Sequence, residues 1–158
     1  MYERILVPLD GSEFAEQVLP YAEALAEKFG SQVILLTVVV PTSPAIVPTP
    51  IGLPVAQPIS PYTAEALSEA MEDMQQESEQ YLQAVAKRLK DQGMHVDHEV
   101  VEGWPADVIV ERSKEAGASL IAMTTHGRGG LGRLVMGSVA DEVLRKAPCP
   151  VLLVRVNR

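Results

Sequence analysis

The residues with the clearest chemical potential form a glycine-rich run near the carboxyl end of the chain. The run extends from Thr124 to Ser138 and carries Arg128 and Arg133 among its glycines. Glycine lets a backbone approach a ligand closely, and Gly137 and Ser138 stand where the last predicted helix begins. Free amide groups at a helix N-terminus, together with the helix dipole, bind anions. The run therefore predicts a phosphate site to which the two arginines add positive charge.

A structural interpretation of the same run competes with this one. The glycines could simply build a flexible loop, and Ser138 could serve only as the N-cap of the helix. The run nevertheless joins a predicted strand to a predicted helix, and it carries two arginines in a protein with a formal net charge of -8. On residue chemistry alone, phosphate binding is slightly favoured.

Strands and helices alternate along the whole chain. Runs of β-branched and aliphatic residues predict strands, and apolar residues at helical spacing predict helices. The predicted strands are 5–9, 32–40, 95–101, 119–124 and 150–156, and the predicted helices are 12–29, 60–93, 105–117 and 137–146. This order predicts an α/β fold, in which a single domain contains a doubly wound, five-stranded parallel sheet with helices on both faces.

The carboxyl ends of the strands are where such sheets bind ligands, at the point where the strand order reverses. Two segments are expected there, Pro8–Ser12 after the first strand and Thr124–Ser138 after the fourth. The proline-rich segment 41–61 follows the second strand. It is too long for an ordinary connection, and it is predicted to be a mobile flap or an interaction segment.

Two helices carry more detailed expectations. Ser12 should cap the first helix, Gly30 should end it, and Pro20 should kink it. The first helix should bury Phe14, Val18, Leu19, Ala22, Leu25, Ala26 and Phe29, and the long helix should bury Leu67, Met71, Met74, Tyr81, Leu82, Val85 and Leu89. The acidic run from Glu65 to Glu79 should be a solvated face of the long helix.

The charge and the composition of the chain limit which binding partners and which cellular location are expected. The net charge of -8 repels phosphate backbones, so nucleic acid is an unexpected partner. No apolar stretch reaches membrane-spanning length and no secretory signal pattern is visible, so no membrane contact and a cytoplasmic location are expected. The single cysteine, Cys149, excludes a disulfide within the chain and is interpreted as a small apolar filler.

The glycine-rich run also resembles the signature of the universal stress protein family, Gly-x2-Gly-x9-Gly-(Ser/Thr). In this chain, the corresponding residues are Thr124-x2-Gly127-x9-Gly137-Ser138. Residues 5–12 resemble the first strand and turn of the family, and residues 147–154 resemble its last strand. The resemblance covers nearly the whole chain. It implies a universal stress protein domain over residues 1–158, Rossmann-like and similar to the adenine nucleotide alpha hydrolases, with a proline-rich insertion at 41–61.

The resemblance further implies that the protein binds ATP and acts in stress response or regulation. Carried over residue by residue, the expected nucleotide-binding set is Pro8, Leu9, Asp10, Val38, Met123, Thr124, Gly127, Arg128, Gly137, Ser138 and Val139. Mg²⁺ or Mn²⁺ would arrive only with the nucleotide, held mostly by its phosphates. A homodimer through the last strand is implied as well, and the apolar edge run Val151–Val154 gives it a physical motive.

Several of these residues have alternative interpretations. Asp10 could accept bonds from ribose hydroxyls or could cap the adjacent turn, and Met123 could belong to the core. Thr124 replaces the first glycine of the signature, so its side chain could crowd the nucleotide or its hydroxyl could supply a contact. A dimeric interaction module without nucleotide therefore remains an alternative, as does a phosphotransferase or adenylating enzyme on a related scaffold.

Catalysis and metal binding are not expected. His126 has no visible partner that would orient it as a base, so a hydrogen bond that fixes the loop is its expected role, and any ATP hydrolysis should be slow. His95 and His98 fall on opposite faces of a strand without the company of other zinc ligands. Trp104 is expected to pack at the start of its helix.

Overall fold

The computed structural model describes residues 1–41, 47–48, 54–55, 61–126 and 136–156. Predictions that fall on other residues, including Gly127, Arg128 and Arg133, lie outside the described part of the chain. In chain order, the elements are β1 Arg4–Pro8, α1 Glu13–Glu16, α2 Leu19–Phe29, β2 Gln32–Val39, β3 Val47–Pro48, β4 Pro54–Val55, α3 Pro61–Asp91, β5 His95–Glu102, α4 Pro105–Glu115, β6 Leu120–Thr124, α5 Ser138–Lys146 and β7 Val151–Val154.

The main sheet has five strands in the order β5-β2-β1-β6-β7, and every neighbouring pair is parallel. Its central strands are continuous apolar runs because helices cover both faces; Ile5, Leu6 and Val7 are fully buried. The chain leaves β1 toward β2 and β5, and then crosses to the other side of β1 to form β6 and β7. The predicted α/β fold is confirmed, and its order reverses between β1 and β6. β3 and β4 form a separate two-stranded antiparallel pair.

Two hydrophobic clusters flank the sheet. One cluster joins the sheet to α1, α2 and α3, with Val18, Ala22 and Leu82 among its buried members. The other joins it to α4 and α5, through residues such as Ile109 and Val143. Each helix layer therefore covers one face of the sheet, and the carboxyl ends of the strands lie between the two layers.

The predicted first helix is two helices. The Ser12 hydroxyl accepts a bond from the Ala15 amide and so caps α1, as predicted. However, this helix ends at Glu16, and a second helix begins at Leu19. Pro20 does not kink a helix interior, because it lies in the first turn of α2, where a missing N–H breaks no helical hydrogen bond. Gly30 ends α2 with a φ of +65°, as predicted.

The outer members of two predicted buried faces are exposed. On α1 and α2, Phe14 is 36% exposed and Phe29 is 44% exposed. The other residues of the predicted apolar face, which lie between these two, are buried or partly buried. On α3, Met74 is 39% exposed. Among its described side chains, α3 contributes to the core clusters from Tyr81 onward, so the prediction of a buried face along its whole length was wrong. The acidic run from Glu65 to Glu79 was predicted to be solvated, and its carboxylates are exposed as far as Glu77, whereas Glu79 is partly buried and contacts His98.

A polar contact ties α3 to α1. The Tyr81 hydroxyl donates to Glu16 Oε1 at 3.1 Å, and Arg88 pairs with Glu16 Oε2 at 3.4 Å. Burial and the neighbouring Glu16 carboxylate raise the pKa of Tyr81 well above its ordinary value of 10.0. A raised folded-state pKa means that the phenol stabilises the fold fully below pH 10 and that this contribution is lost as the pH rises further.

We expect Tyr81→Phe to lower the free energy of unfolding by about 1 kcal/mol at pH 7, because one hydrogen bond to a charged acceptor is removed. The variant should also lose less stability than the parent protein between pH 10 and pH 11, since it has no phenol to ionise at this position. Urea unfolding at a series of pH values measures both effects. Tyr21→Phe is the control, because Tyr21 is 53% exposed. An equally steep alkaline decline in Tyr81→Phe would contradict the assignment.

Candidate functional site

A pocket of about 270 Å³ opens at the carboxyl ends of β1 and β6, where the strand order reverses. All the predicted site residues within the described part of the chain line it: Pro8, Leu9, Asp10, Val38, Met123, Thr124, Gly137, Ser138 and Val139. They come from β1, β2, β6 and α5 and from the turn after β1. Gly127 and Arg128 lie outside the described residues.

The turn after β1 forms one wall of the pocket. Asp10 Oδ1 accepts bonds from the Ser12 amide at 3.0 Å and from the Ser12 hydroxyl at 2.6 Å, and that hydroxyl in turn accepts from the Ala15 amide at 3.1 Å. Gly11 between them has a φ of +78°, which favours glycine. The capping role of Asp10 is therefore present in the structure, and its predicted role toward a ribose stays a prediction.

The end of β6 forms the opposite wall. The Thr124 hydroxyl donates to the carbonyl oxygen of His126 at 2.7 Å, and Thr124 is buried. The hydroxyl of Thr124 is thus used to shape the chain where it leaves the strand. His126 Nδ1 lies 3.1 Å from the hydroxyl of its neighbour Thr125. The expected role of this histidine in fixing the loop stays a prediction, because the loop lies outside the described residues.

The amino end of α5 points into the same space. Gly137 is the N-cap residue, and its amide donates to the Thr125 carbonyl oxygen at 2.8 Å. Ser138 is the first residue of the helix, so the alternative interpretation of Ser138 as the N-cap was wrong. As a glycine, the N-cap residue has no side chain that could cap this end of α5. The amides of the first turn and the positive end of the helix dipole thus favour an anion.

Gly137 is required by close packing and not by its backbone angles, which are φ −60° and ψ 147°. A Cβ placed on it would lie 3.0 Å from the Thr125 carbonyl oxygen and 3.7 Å from His126 Cα. The start of α5 is therefore held directly against the end of β6. Any larger residue must move one of these backbones or project toward the pocket.

The remainder of the pocket is largely apolar. Leu9, Met123 and Ile109 are buried there, and Asp10 is the one carboxylate among the described lining residues. This combination of an apolar cleft with a helix N-terminus at one end suits an amphiphilic anion. Such a ligand would have a flat apolar part and a negatively charged part.

Sequence reasoning missed part of the lining: Ala15, Leu36, Pro105, Ile109, Thr125, His126 and Ala140 were not assigned to the site. Pro105 and Ile109 come from α4, which follows the edge strand β5. A connection from β5 back to β6 must pass over β2 and β1, so its first turn has to lie near the pocket. The position of α4 beside the pocket could therefore be predicted once the strand order was known.

The other candidate residues lie elsewhere. Trp104 is the N-cap residue of α4 and is 62% exposed, so the expectation that it packs at the helix start was wrong. His98 Nε2 lies 2.9 Å from Glu79 Oε1. Within the described ranges, no group of three or more histidine, cysteine, aspartate or glutamate residues could hold a metal ion.

Burial raises the pKa of the Cys149 thiol, as befits an apolar filler. None of the helices in the described part of the chain is both long and apolar enough to cross a membrane.

Comparison with known proteins agrees with this architecture. The family model described as "Universal stress protein family" matches residues 1–155. The chain belongs to that family. Universal stress protein MJ0531 of Methanocaldococcus jannaschii is 35% identical to it over 155 residues, which cover 98% of this chain and 83% of the relative.

Solved structures of universal stress proteins share the fold. The structure of protein MJ0577 superposes with a TM-score of 0.82 and 28% identity, and covers 100% of this chain and 99% of the other. A universal stress protein in complex with cAMP superposes with a TM-score of 0.60 and 21% identity, covering 99% and 98% of the two chains. The five-stranded parallel sheet with helices on both faces is thus the family's fold.

Proposed function

We propose that this universal stress protein binds an adenine nucleotide, ATP in the first place, in the pocket between β1, β6 and α5, and that it acts in stress response or regulation. The observation that carries the proposal is the N-terminus of α5, which opens into an apolar cleft at the reversal of strand order. Complexes of two family members, one with cAMP and one from Archaeoglobus fulgidus with dAMP, support an adenine ligand.

In this arrangement, the phosphates rest against the first turn of α5, at Gly137, Ser138 and Val139. Gly127 and Arg128 complete the phosphate contacts in our proposal. The nucleoside lies along the apolar wall, where Pro8, Leu9, Val38 and Met123 supply contact area, Thr124 borders the ribose and phosphates, and Asp10 accepts from the ribose hydroxyls. Mg²⁺ or Mn²⁺ accompanies the triphosphate and is held by it.

The proposed role is binding and not turnover. His126 contacts the Thr125 hydroxyl and Asp10 accepts from Ser12, so both described titratable groups of the pocket already have hydrogen-bond partners. Nucleotide occupancy would then act by changing the contacts that the protein makes with its partners. We place the protein in the cytoplasm, where ATP is abundant, as one domain over residues 1–158, and as a homodimer joined through β7.

The test uses protein purified without added nucleotide. Denaturing it and chromatographing the supernatant should release an adenine nucleotide. Trp104 is the only tryptophan of the chain and directly precedes the pocket residue Pro105, so ATP titration should change its emission. ATP at about 100 times its dissociation constant should add about 2.7 kcal/mol to the free energy of unfolding.

Two other outcomes distinguish the rivals. No released nucleotide, no change in emission and no thermal shift would favour the dimeric interaction module without nucleotide. ATP turnover faster than about one per second would instead favour an enzyme. Trp104→Phe serves as the control for the emission experiment and should keep the thermal shift.

A further inference from the structure

The long helix α3 extends well past the sheet that it covers. With 31 residues it is about 46 Å long, whereas the eight residues of β5 span about 26 Å. Gly93 and Met94 join the end of α3 directly to the start of β5, so the two elements run in opposite directions. The excess length therefore lies beyond the carboxyl ends of the strands, at the end of the sheet that holds the pocket.

The first half of α3 does not join the described core. From this helix, the core cluster includes Tyr81, Leu82, Val85, Ala86 and Leu89. No described residue of α3 before Tyr81 is a buried member of either core cluster. Most side chains between positions 64 and 77 are exposed. This half of the helix, which we call the α3 overhang, covers residues 64–77.

An apolar stripe nevertheless continues along the overhang. Leu67, Met71 and Met74 recur at helical spacing, in line with Val85 of the buried face. Leu67 and Met71 are partly exposed and Met74 is 39% exposed. Methionine is flexible and polarisable, and it is over-represented on surfaces that adapt to a partner. A stripe of this kind, on a part of the helix whose described residues do not belong to the core clusters, is suited to receive another apolar surface.

The charges beside the stripe are all of one sign. Between Pro61 and Ala86 the sequence contains six carboxylates and neither lysine nor arginine; the carboxylates are Glu65, Glu69, Glu72, Asp73, Glu77 and Glu79. By helical spacing, Asp73 and Glu77 lie on one side of the stripe, and Glu72 lies on the other. A second copy of the overhang would meet like charges, which disfavours pairing of the helix with itself.

We propose that the α3 overhang is a docking surface for a basic amphipathic helix of another protein. Apolar residues of that helix would lie on Leu67, Met71 and Met74, while its lysines and arginines would face the carboxylates on either side. The partner would sit at the same end of the sheet as the nucleotide pocket. The proposal rests on the helix alone and does not require that the pocket bind ATP.

A synthetic peptide tests it on the full-length protein. The probe is a fluorescently labelled 20-residue helix with leucines on one face and lysines on the other, and a scrambled peptide of equal composition shows what charge alone contributes. We expect Leu67→Gln and Met71→Gln together to weaken binding of the ordered peptide about tenfold, as loss of apolar anchors does at interfaces. Thermal unfolding should be unchanged, because neither residue belongs to the described core.

Matched variants separate the stripe from general acidity. Tyr21→Gln removes an exposed apolar side chain of α2 and should leave binding unchanged. Glu72→Gln with Asp73→Asn should weaken binding, and Glu23→Gln with Glu27→Gln on α2 should not. Equal binding of ordered and scrambled peptides, or no effect of the stripe variants, would overturn the proposal. So would dissociation of a dimer in Leu67→Gln by sedimentation, since a second copy would then cover the stripe.

Discussion

Gly137→Val should weaken ATP binding about 100-fold, which corresponds to about 2.7 kcal/mol. The branched side chain would stand where the phosphates are proposed to meet the first turn of α5. The backbone cannot easily withdraw to make room, because a Cβ on this residue already lies 3.0 Å from the Thr125 carbonyl oxygen. Isothermal titration of ATP into the folded variant measures the change.

The same close contact predicts a cost in stability. Moving α5 away from β6 should lower the free energy of unfolding by about 1–3 kcal/mol in the absence of nucleotide. Arg145→Val is the matched control, since it adds a branched residue to an exposed position of the same helix and loses only a surface ion pair with Asp141. Unchanged ATP affinity in a folded Gly137→Val protein would place the phosphates elsewhere.

Leu153→Pro should convert the proposed homodimer into a monomer. The carbonyl oxygens of Pro150 and Val154 accept bonds from the Ile121 and Thr125 amides of the β6 side. Because a strand alternates with a period of two residues, the amides of Val151 and Leu153 face away from β6, toward the open edge. Proline at position 153 removes an outward donor while it leaves the bonds to β6 in place.

The expected change is a rise of about 100-fold in the dimer dissociation constant, because a central hydrogen bond of the pairing is lost and the proline ring obstructs the partner strand. Sedimentation equilibrium measures it. Leu153→Ala truncates the same side chain but keeps the amide, so it should remain dimeric at concentrations where Leu153→Pro is monomeric. A parent protein that is monomeric throughout, or a dimer untouched by Leu153→Pro, would contradict pairing through β7.

The sequence by itself determined the alternation of strands and helices in the main sheet and the end of that sheet at which the candidate pocket opens. The apolar runs at Ile5–Val7 and 120–124 can satisfy their backbone groups while buried on both faces only inside a parallel sheet. The spacing from Gly127 to Ser138 identified the family, and the described residues predicted for the site all came to line one pocket. These features are local patterns, and local patterns can be read from a single chain.

The tertiary structure decided what depended on distant neighbours. Pro20 lies inside an apolar periodicity that continues on both sides of it, and only the structure showed that one helix ends before it, at Glu16, and that a second begins at Leu19. The stripe through Leu67 and Met71 is the same pattern as the buried stripe through Val85, but the sheet ends before it can cover both. Pro105 and Ile109 entered the pocket because the crossover from β5 to β6 passes over β1. Periodicity shows which face of a helix is apolar, whereas burial of that face depends on whether another element reaches it.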